Sequence, residues 1–539
     1  MANLSVNADA ALALPDAEPV ARPKLDHAVD PRSALLFFSV LAIGLFFVAY
    51  SLYRDITESG VQTKSMLPFV LLGVALLIAL AFEFVNGFHD TANAVATVIY
   101  THSMPAPLAV LWSGAFNFLG VMASTGAVAF GIVSLLPVEL ILNVGSGAGF
   151  AMVFALLIAA IIWNLSTWYL GLPASSSHTL IGSILGVGLV NHLMVPSGSG
   201  VHWAQASKVG VSLLVSPLVG FGLSALLLLV LKLMARKPEL YAEPKGNKPP
   251  PRLIRALLIA TCTGVSFAHG SNDGQKGMGL IMLILIGVVP AAYALNRTMP
   301  DSHVHSFLVA SEQMAQSLDQ KSGGVRVDDP RAVVGGYLRT HERVAQLVPA
   351  LAQLTREIRE QVEQYGTLRK LPAGSVQNVR NDMYLVSETL PQLAKAPGFG
   401  EAAERASLAG YRVQLDAATK FIPFWVKVAV AIALGLGTMV GWKRIVVTVG
   451  EKIGKTHLTY AQGASAELVA ATTIAAADLF GLPVSTTHVL SSGVAGTMAA
   501  NRSGLQMSTV RNLLMAWVLT LPAAIVLSGG LFWVFSQIF

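Results

Sequence analysis

The chain has 539 residues, of which 54% are hydrophobic and only 12% are charged. Soluble domains carry about 25% charged residues, so this composition excludes an ordinary soluble protein and indicates a polytopic α-helical membrane protein. The single cysteine excludes an intrachain disulfide and a cysteine metal cluster, and the net charge of +6, which lies in short loops, does not indicate a nucleic-acid partner.

Apolar stretches follow an N-terminal tail. Residues 1–31 contain prolines and acids and lack the continuous apolar core of a signal peptide, so we expect a disordered tail. A membrane-spanning helix needs about 20 apolar residues, and the stretches predict ten to twelve transmembrane segments. They lie near 34–53, 66–86, 106–136, 147–170, 179–195, 209–235, 253–268, 278–296, 421–441, 466–480, 484–500 and 513–538.

Two short loops carry much of the positive charge. Residues 232–255 hold seven Lys or Arg and two Glu, and residues 441–458 hold four Lys or Arg and one Glu. Because Lys and Arg accumulate in cytoplasmic loops, we expect both loops to face the cytoplasm.

Residues 298–420 form an insertion that differs from the rest of the chain, with fourteen basic and fourteen acidic residues that cancel. Apolar residues recur there at the spacing of one helix face: Val344, Leu347, Leu351, Leu354, Ile358 and Val362. We expect a small, water-exposed helical domain in the periplasm, opposite the basic loops. The alternative is an unstructured linker, which would not need this periodicity.

Two motifs occur twice. GLPASSSHTLIGS at 171–183 returns as GLPVSTTHVLSSG at 481–493, and GFHDTANAVAT has a looser copy in GSNDGQKGMGL. Once the insertion is left out, 83 residues separate Asp90 from Pro173 and 87 separate Asp273 from Pro483. The two halves are therefore predicted to be structural repeats with a substrate site at their interface.

An inverted arrangement of the repeats follows if both basic loops are cytoplasmic, since an even number of crossings must then separate them. This holds if 253–296 acts as one broken crossing or re-entrant pair, the insertion is periplasmic and 421–441 returns across the membrane. The fold prediction is an all-α polytopic membrane protein with about 10–12 transmembrane segments in two inverted repeats with broken or re-entrant helices, plus a small helical extramembrane insertion. In chain order we expect a tail (1–31), a first membrane set with repeat 1 (32–235, motifs 85–97 and 171–183), a basic cytoplasmic loop (236–252), the start of repeat 2 (253–297, motif 267–280), the insertion (298–420) and the remainder of repeat 2 (421–539, motif 481–496).

The Pro-Ser/Thr motifs predict two helix N-termini that could bind an anion. Gly and Pro end one helix, hydroxyls cap the next, and free N–H groups with the helix dipole favour negative charge. The alternative is an ordinary helix start capped by its own hydroxyls. The candidate donors are Ser175, Ser176, Ser177, Ser485, Thr486 and Thr487.

The other pair of motifs places polar and charged residues inside apolar stretches. Carboxylates within a membrane usually face a cavity and mark an ion or proton path. We expect Asp90 and Asp273 to bind a cation, carry a proton or accept a hydrogen bond from a protonated substrate. The flanking Gly87, Gly270, Gly274 and Gly277 would let the backbone break and expose carbonyls; a purely structural pair with Lys276 is the alternative.

Few other polar residues lie inside the apolar stretches. Glu467 is a candidate for the transport path, whereas His178 and His488 fit a structural role as well as a proton-active one. No HExxH, GxSxG, Walker A or CxxC motif is present, so the sequence predicts neither an enzyme nor an ATP-driven motor.

These motifs, together with FAHGSNDGQKGMGLIMLILIG and GTMVGWKRIVVTVGEKIGKTHLTYAQG (437–463), resemble the inorganic phosphate transporter (PiT) family, and within it the bacterial low-affinity Pit-type phosphate permeases. The resemblance implies a secondary transporter, often dimeric, in the bacterial inner membrane. It also implies proton symport of phosphate, largely as a neutral complex with a divalent metal such as magnesium. No cofactor or metal centre of the protein's own is implied.

The resemblance assigns site residues by position. Phosphate would be held by Asp90, Asn93, Ser175, Ser177, Asp273, Ser485 and Thr487, to which we add Ser176, Asn272 and Thr486. The residues expected to couple an ion or a proton to transport are His89, Asp90, Asp273, Lys276 and Glu467.

The second copy departs from the family pattern, because aligning Asp90 with Asp273 places Lys276 where the first copy has Asn93. An ammonium cannot ligate a cation and repels one. We therefore expect Lys276 to serve as a built-in counter-charge, which favours protons over sodium as the coupling ion. The alternative is that Lys276 simply pairs with Asp273 or Glu467.

Two other functions remain open from the sequence. A carrier of the same fold could take sulfate or another tetrahedral oxyanion, although sulfate has no proton to donate to paired carboxylates at neutral pH. An intramembrane enzyme or sensor would need a catalytic constellation or a signalling domain, and the insertion gives little support for either.

Overall fold

The computed structural model describes residues 23, 25, 30–60, 65–90, 92–137, 140–141, 145–195, 201–244, 246, 248–396, 399 and 401–539. The predicted N-terminal tail lies outside the described residues apart from its positions 23, 25, 30 and 31. Helices dominate the described part of the chain, and its only β-type pairing is an isolated bridge between Gly454 and Leu505.

In the described residues, nine helices precede the short helix that leads into the insertion. They are α1 Pro31–Glu58, α2 Leu67–Asp90, α3 Ala92–Tyr100, α4 Ala106–Ala123, α5 Ala127–Val133, α6 Gly147–Tyr169, α7 Ser176–Met194, α8 Trp203–Met234 and α9 Arg252–Val288. A 3-10 turn, Pro238–Leu240, lies in the basic segment before α9.

A short helix leads into the insertion. The insertion holds five described helices, and five more follow it in the chain. They are α10 Pro290–Tyr293, then α11 Asp301–Ser322, α12 Pro330–Thr340, α13 Leu347–Tyr365, α14 Ala373–Leu393 and α15 Ala402–Thr419, then α16 Phe424–Thr438, α17 Lys443–Val447, α18 Tyr460–Leu479, α19 Thr486–Ala500 and α20 Met507–Phe535. A 3-10 turn at Leu368–Lys370 and a π-helical turn at Thr448–Lys452 complete the described elements.

Seven helices of the described chain are long and apolar enough to cross a membrane, or eight if α15 and α16, which meet at a 75° bend, count as one span. The protein is therefore a polytopic helical membrane protein. The number is smaller than the ten to twelve segments expected from the apolar stretches. Two stretches merge into α9, and those that follow the Pro-Ser/Thr motifs form shorter or less apolar helices.

The insertion has a hydrophobic core of its own, built from helices α11 to α15. The predicted apolar face lies on α13, where Leu347, Leu351, Leu354 and Ile358 are fully buried. Val344 was wrongly included in that face, since it precedes the helix and is 47% exposed. The insertion is a folded helical unit and not a linker.

The GSNDGQKG segment corrects a prediction. Helix α9 runs without interruption through it, so the backbone does not break to expose carbonyls. The stretch 253–296 therefore holds one continuous candidate span and not a broken one, which leaves the number of crossings that the inverted arrangement needs unchanged. The glycines instead allow neighbouring helices to approach. A Cβ at Gly270 would lie 2.1 Å from the carbonyl oxygen of Asn117, and one at Gly274 would lie 2.6 Å from Val121. Small residues at such contacts are typical of packed membrane helices.

Gly87 provides the same kind of contact between α2 and α16, and its substitution has a predictable effect. A Cβ there would lie 2.3 Å from the carbonyl oxygen of Leu434, so Gly87→Ala should destabilise the fold by the about 1–3 kcal/mol typical of overpacking. Gly73, on the same helix, has nothing within 4 Å of such a Cβ. Gly73→Ala should therefore be neutral or stabilising, by up to about 1 kcal/mol. Thermal unfolding of the two purified variants in detergent tests this, and equal midpoints would contradict it.

Candidate functional site

The two Pro-Ser/Thr motifs form matching helix starts. Gly171 and Gly481 adopt positive φ values of 67° and 62° in the turns that precede them. The Ser175 hydroxyl oxygen then accepts from the His178 N–H at 3.2 Å and caps α7. The Ser485 hydroxyl caps α19 in the same way from the His488 N–H at 3.1 Å. As predicted, each cluster begins a helix, and Ser175 and Ser485 use their oxygens as caps.

The two helix starts meet inside the protein. The Ser177 hydroxyl, in the first turn of α7, donates to the carbonyl of Val484 at 2.8 Å, just before α19. The rings of His178 and His488 lie 4.6 Å apart between their centroids. Thr486 is fully buried, and in the described chain its hydroxyl has no hydrogen-bond partner. N-terminal N–H groups and hydroxyls from both Pro-Ser/Thr motifs are thus brought to one place.

Asp90, the last residue of α2, connects both helix starts. Its Oδ1 accepts from the Thr487 hydroxyl at 2.6 Å and lies 3.0 Å from Nδ1 of His89. Its Oδ2 accepts from the Ser176 hydroxyl. Asn93 supports this arrangement by donating to Thr487 at 3.1 Å. One carboxylate therefore joins residues of α2, α7 and α19.

Asp273 lies in the middle of the unbroken helix α9 and is paired there. Its Oδ2 is 2.7 Å from the ammonium of Lys276 and 3.4 Å from Nε2 of His269. The same ammonium donates to the Ser177 hydroxyl at 2.5 Å. The sequence left Asp273 and Glu467 as alternative partners of Lys276. The ammonium contacts Asp273, and it also contacts the start of α7. Asp273 and Lys276 are both fully buried.

Asp90, His269 and Asp273 form a cluster that could hold a cation. One ligand atom from each lies within 4.8 Å of the others, and all three residues are buried. Sequence reasoning missed His269, although it lies one helical turn before Asp273, where side chains share a face. Its other ring nitrogen is 2.8 Å from Oδ1 of Asn117 on α4.

The remaining predicted residues lie around this cluster or apart from it. Asn272 donates to the carbonyl of Leu482 at 3.1 Å and so contacts the turn before α19. His89 reaches Thr167 of α6 with its Nε2 at 3.1 Å. Glu467 has partners of its own, accepting from the hydroxyls of Thr97 and, at 2.5 Å, Thr261. Sequence reasoning also missed Glu83 on α2, which is fully buried.

The comparisons with known proteins agree with these motifs. Residues 86–528 match the profile described as "Phosphate transporter family". The chain is 44% identical over 489 residues to the "Low-affinity inorganic phosphate transporter PitA" of Escherichia coli strain K12, covering 86% of this chain and 97% of that one. It is 44% identical over 494 residues to PitB of the same strain, covering 87% and 98%.

More distant relatives show the same coverage. A "Probable low-affinity inorganic phosphate transporter" of Bacillus subtilis strain 168 is 28% identical over 474 residues, covering 87% of this chain and 99% of the relative. A solved structure titled "The sodium-dependent phosphate transporter" is 20% identical, with a TM-score of 0.48. The family profile and the relatives at 44% identity cover most of the chain, which therefore belongs to the phosphate transporter family and is a multi-pass membrane transport protein, not an enzyme.

Proposed function

We propose that the protein imports inorganic phosphate across the bacterial inner membrane by proton symport, mainly as a neutral complex with a divalent cation such as magnesium. The observation that carries the proposal is the meeting of two helix N-termini beside the cluster of Asp90, His269 and Asp273. The helix starts suit the phosphate oxygens, and the carboxylates and imidazole suit a divalent cation or a proton.

The donors around this place favour transport over permanent capture. Ser176, Ser177, Thr486 and Thr487 contribute neutral hydroxyls, whereas Arg binds phosphate bidentately and strongly. Hydroxyls and N–H groups select an oxyanion and still allow release. Phosphate can donate a proton to Asp90 or Asp273, and sulfate cannot do so at neutral pH, which favours phosphate as the substrate.

Lys276 supports protons over sodium as the coupling ion. Its ammonium lies against Asp273 and Ser177, at the position where the first repeat has Asn93. A positive charge there disfavours a bare sodium ion, because like charges repel strongly where the effective dielectric constant is low. A divalent cation that travels with phosphate as a neutral complex brings its own counter-charge.

One contact and one cavity support inverted repeats and a periplasmic insertion. The Gly171 carbonyl accepts from Thr448 in the basic segment 441–458 at 2.7 Å. The equivalent Gly481 instead lines a cavity of about 1010 Å³ beneath the insertion, whose lining includes His341 and Lys395. The matching turns thus adjoin different extramembrane parts of the chain, as repeats of opposite orientation require. We also propose a homodimer, as the family resemblance implies.

Uptake of labelled phosphate by proteoliposomes tests the proposed function. An inward proton gradient should drive accumulation, a sodium gradient should not, and external magnesium should increase the rate. A protonophore should abolish the effect, and excess sulfate should not compete. Accumulation driven by sodium alone, or equal uptake of sulfate, would contradict the proposal.

A further inference from the structure

A buried carboxyl near the site has no role in the contacts described so far. Glu83 lies on α2, seven residues before Asp90, and is fully buried. Its Oε2 accepts one long hydrogen bond of 3.4 Å from the Asn86 amide. In the described chain, no donor meets hydrogen-bond geometry at Oε1.

The neighbouring helix α9 is shaped around this carboxyl. A Cβ at Gly277 would lie 2.4 Å from Oε1 of Glu83, so a larger residue there would displace the carboxyl. Gly277 directly follows Lys276, and Glu83 interacts electrostatically with both Lys276 and Asp273. The Asn86 amide and the Gly277 N–H also act on this carboxyl.

The ammonium that could neutralise Glu83 is engaged elsewhere. Lys276 contacts Asp273 at 2.7 Å and Ser177 at 2.5 Å. An ionised carboxyl within a membrane protein, without a donor on one oxygen or a contacting cation, is strongly disfavoured, and taking up a proton removes that penalty. Glu467, also fully buried, differs because it accepts from the two hydroxyls of Thr97 and Thr261.

We propose that Glu83 is the binding site of the transported proton, and that Lys276 transmits the occupancy of this site to Asp273 and Ser177. The inference rests on the proton symport proposed above. With a proton on Glu83, the ammonium stays on Asp273 and Ser177, as in this structure. When the carboxyl releases its proton to water, the ammonium, which stays charged throughout, turns towards the new carboxylate. Asp273 and Ser177 then lose a cationic partner, so proton release changes the phosphate site.

The isosteric substitution Glu83→Gln tests the proposal in proteoliposomes. Gradient-driven accumulation of phosphate, and the phosphate-dependent proton flux reported by a dye inside the vesicles, should fall by about tenfold or more, within the range of coupling between two sites. Exchange of labelled for unlabelled phosphate without a gradient should continue. The matched control is Glu58→Gln, an exposed Glu on α1 paired with Arg54, which should behave like the wild type.

The outcomes separate this inference from the proposed function. If Glu83→Gln accumulates phosphate in response to the proton gradient as the wild type does, the assignment of Glu83 is wrong and symport stands. If the wild type shows no response to the gradient, symport and the assignment both fail. A merely structural role for Glu83 predicts no change in coupling, since Gln keeps the shape and the hydrogen bond to Asn86.

A spectroscopic measurement covers the case in which the variant does not transport at all. The infrared spectrum of the detergent-purified wild type should contain a protonated-carboxyl band that is absent from Glu83→Gln, with intact folding checked by gel filtration. An identical band in both proteins would overturn the assignment.

Discussion

Asp90→Asn is expected to reduce phosphate uptake by about a hundredfold or more, because hydrogen bonds to charged groups contribute about 1.5–3 kcal/mol each and about 1.4 kcal/mol corresponds to a factor of ten. Asp90 accepts from Ser176 of α7 and from Thr487 of α19. An Asn amide accepts through one atom only and turns an NH₂ group towards one of the two hydroxyls. The substitution therefore separates the helix starts and removes a negative charge from the cluster of Asp90, His269 and Asp273.

Initial rates of labelled phosphate uptake at a fixed proton gradient measure this effect. Asp301→Asn, at the exposed start of α11 in the insertion, is the matched control and should transport like the wild type. Gel filtration of both variants establishes that the protein is folded. An Asp90→Asn variant with uptake close to that of the wild type would contradict the central position of Asp90 in the site.

Lys276→Met is expected to lower the stability of the protein by about 3–5 kcal/mol, the usual effect of removing one partner of a buried ion pair. The ammonium contacts Asp273, and both residues are fully buried. Met fills a similar volume but leaves the carboxylate without a counter-charge. Transport should also be lost, because Ser177 loses the same partner.

The double variant Lys276→Met/Asp273→Asn isolates the charge. Replacing both ionised groups removes the uncompensated carboxylate, so most of the lost stability should return while phosphate uptake stays absent. Thermal unfolding in detergent, combined with uptake in proteoliposomes, measures both properties. If Lys276→Met is as stable as the wild type, or if the double variant is less stable than Lys276→Met, the Lys276 ammonium does not stabilise the protein by neutralising the Asp273 carboxylate.

The buried ion pair between Lys276 and Asp273 bears on the proposed coupling as well as on stability. A buried ion pair is weak evidence for stability, because desolvation offsets its attraction and apolar residues often replace it without loss. Lys276 interacts electrostatically with Glu83 and contacts a second carboxyl, that of Asp273. A cation with two alternative partners can change between them, as the proposed coupling of a proton to phosphate requires.

The amino-acid sequence by itself determined the membrane class, the two repeated motifs, the helical insertion and the capped helix starts at Ser175 and Ser485. These features depend on local rules. Apolar length decides which segments enter the membrane, and a Gly-Pro turn followed by hydroxyls decides where a helix begins. The difference between Asn93 and Lys276 was also readable directly, since it needed only the alignment of the two copies.

Only the tertiary structure decided the rest. The glycines of GSNDGQKG were compatible with a broken helix or with close packing, and the approach of Asn117 and Val121 shows that they permit packing along a continuous α9. His269 and Glu83 lie near the candidate site because α9 packs against α2 and α4. Whether a buried carboxyl has a partner depends on which donors other helices bring to it, and residues far apart in the chain supply those donors.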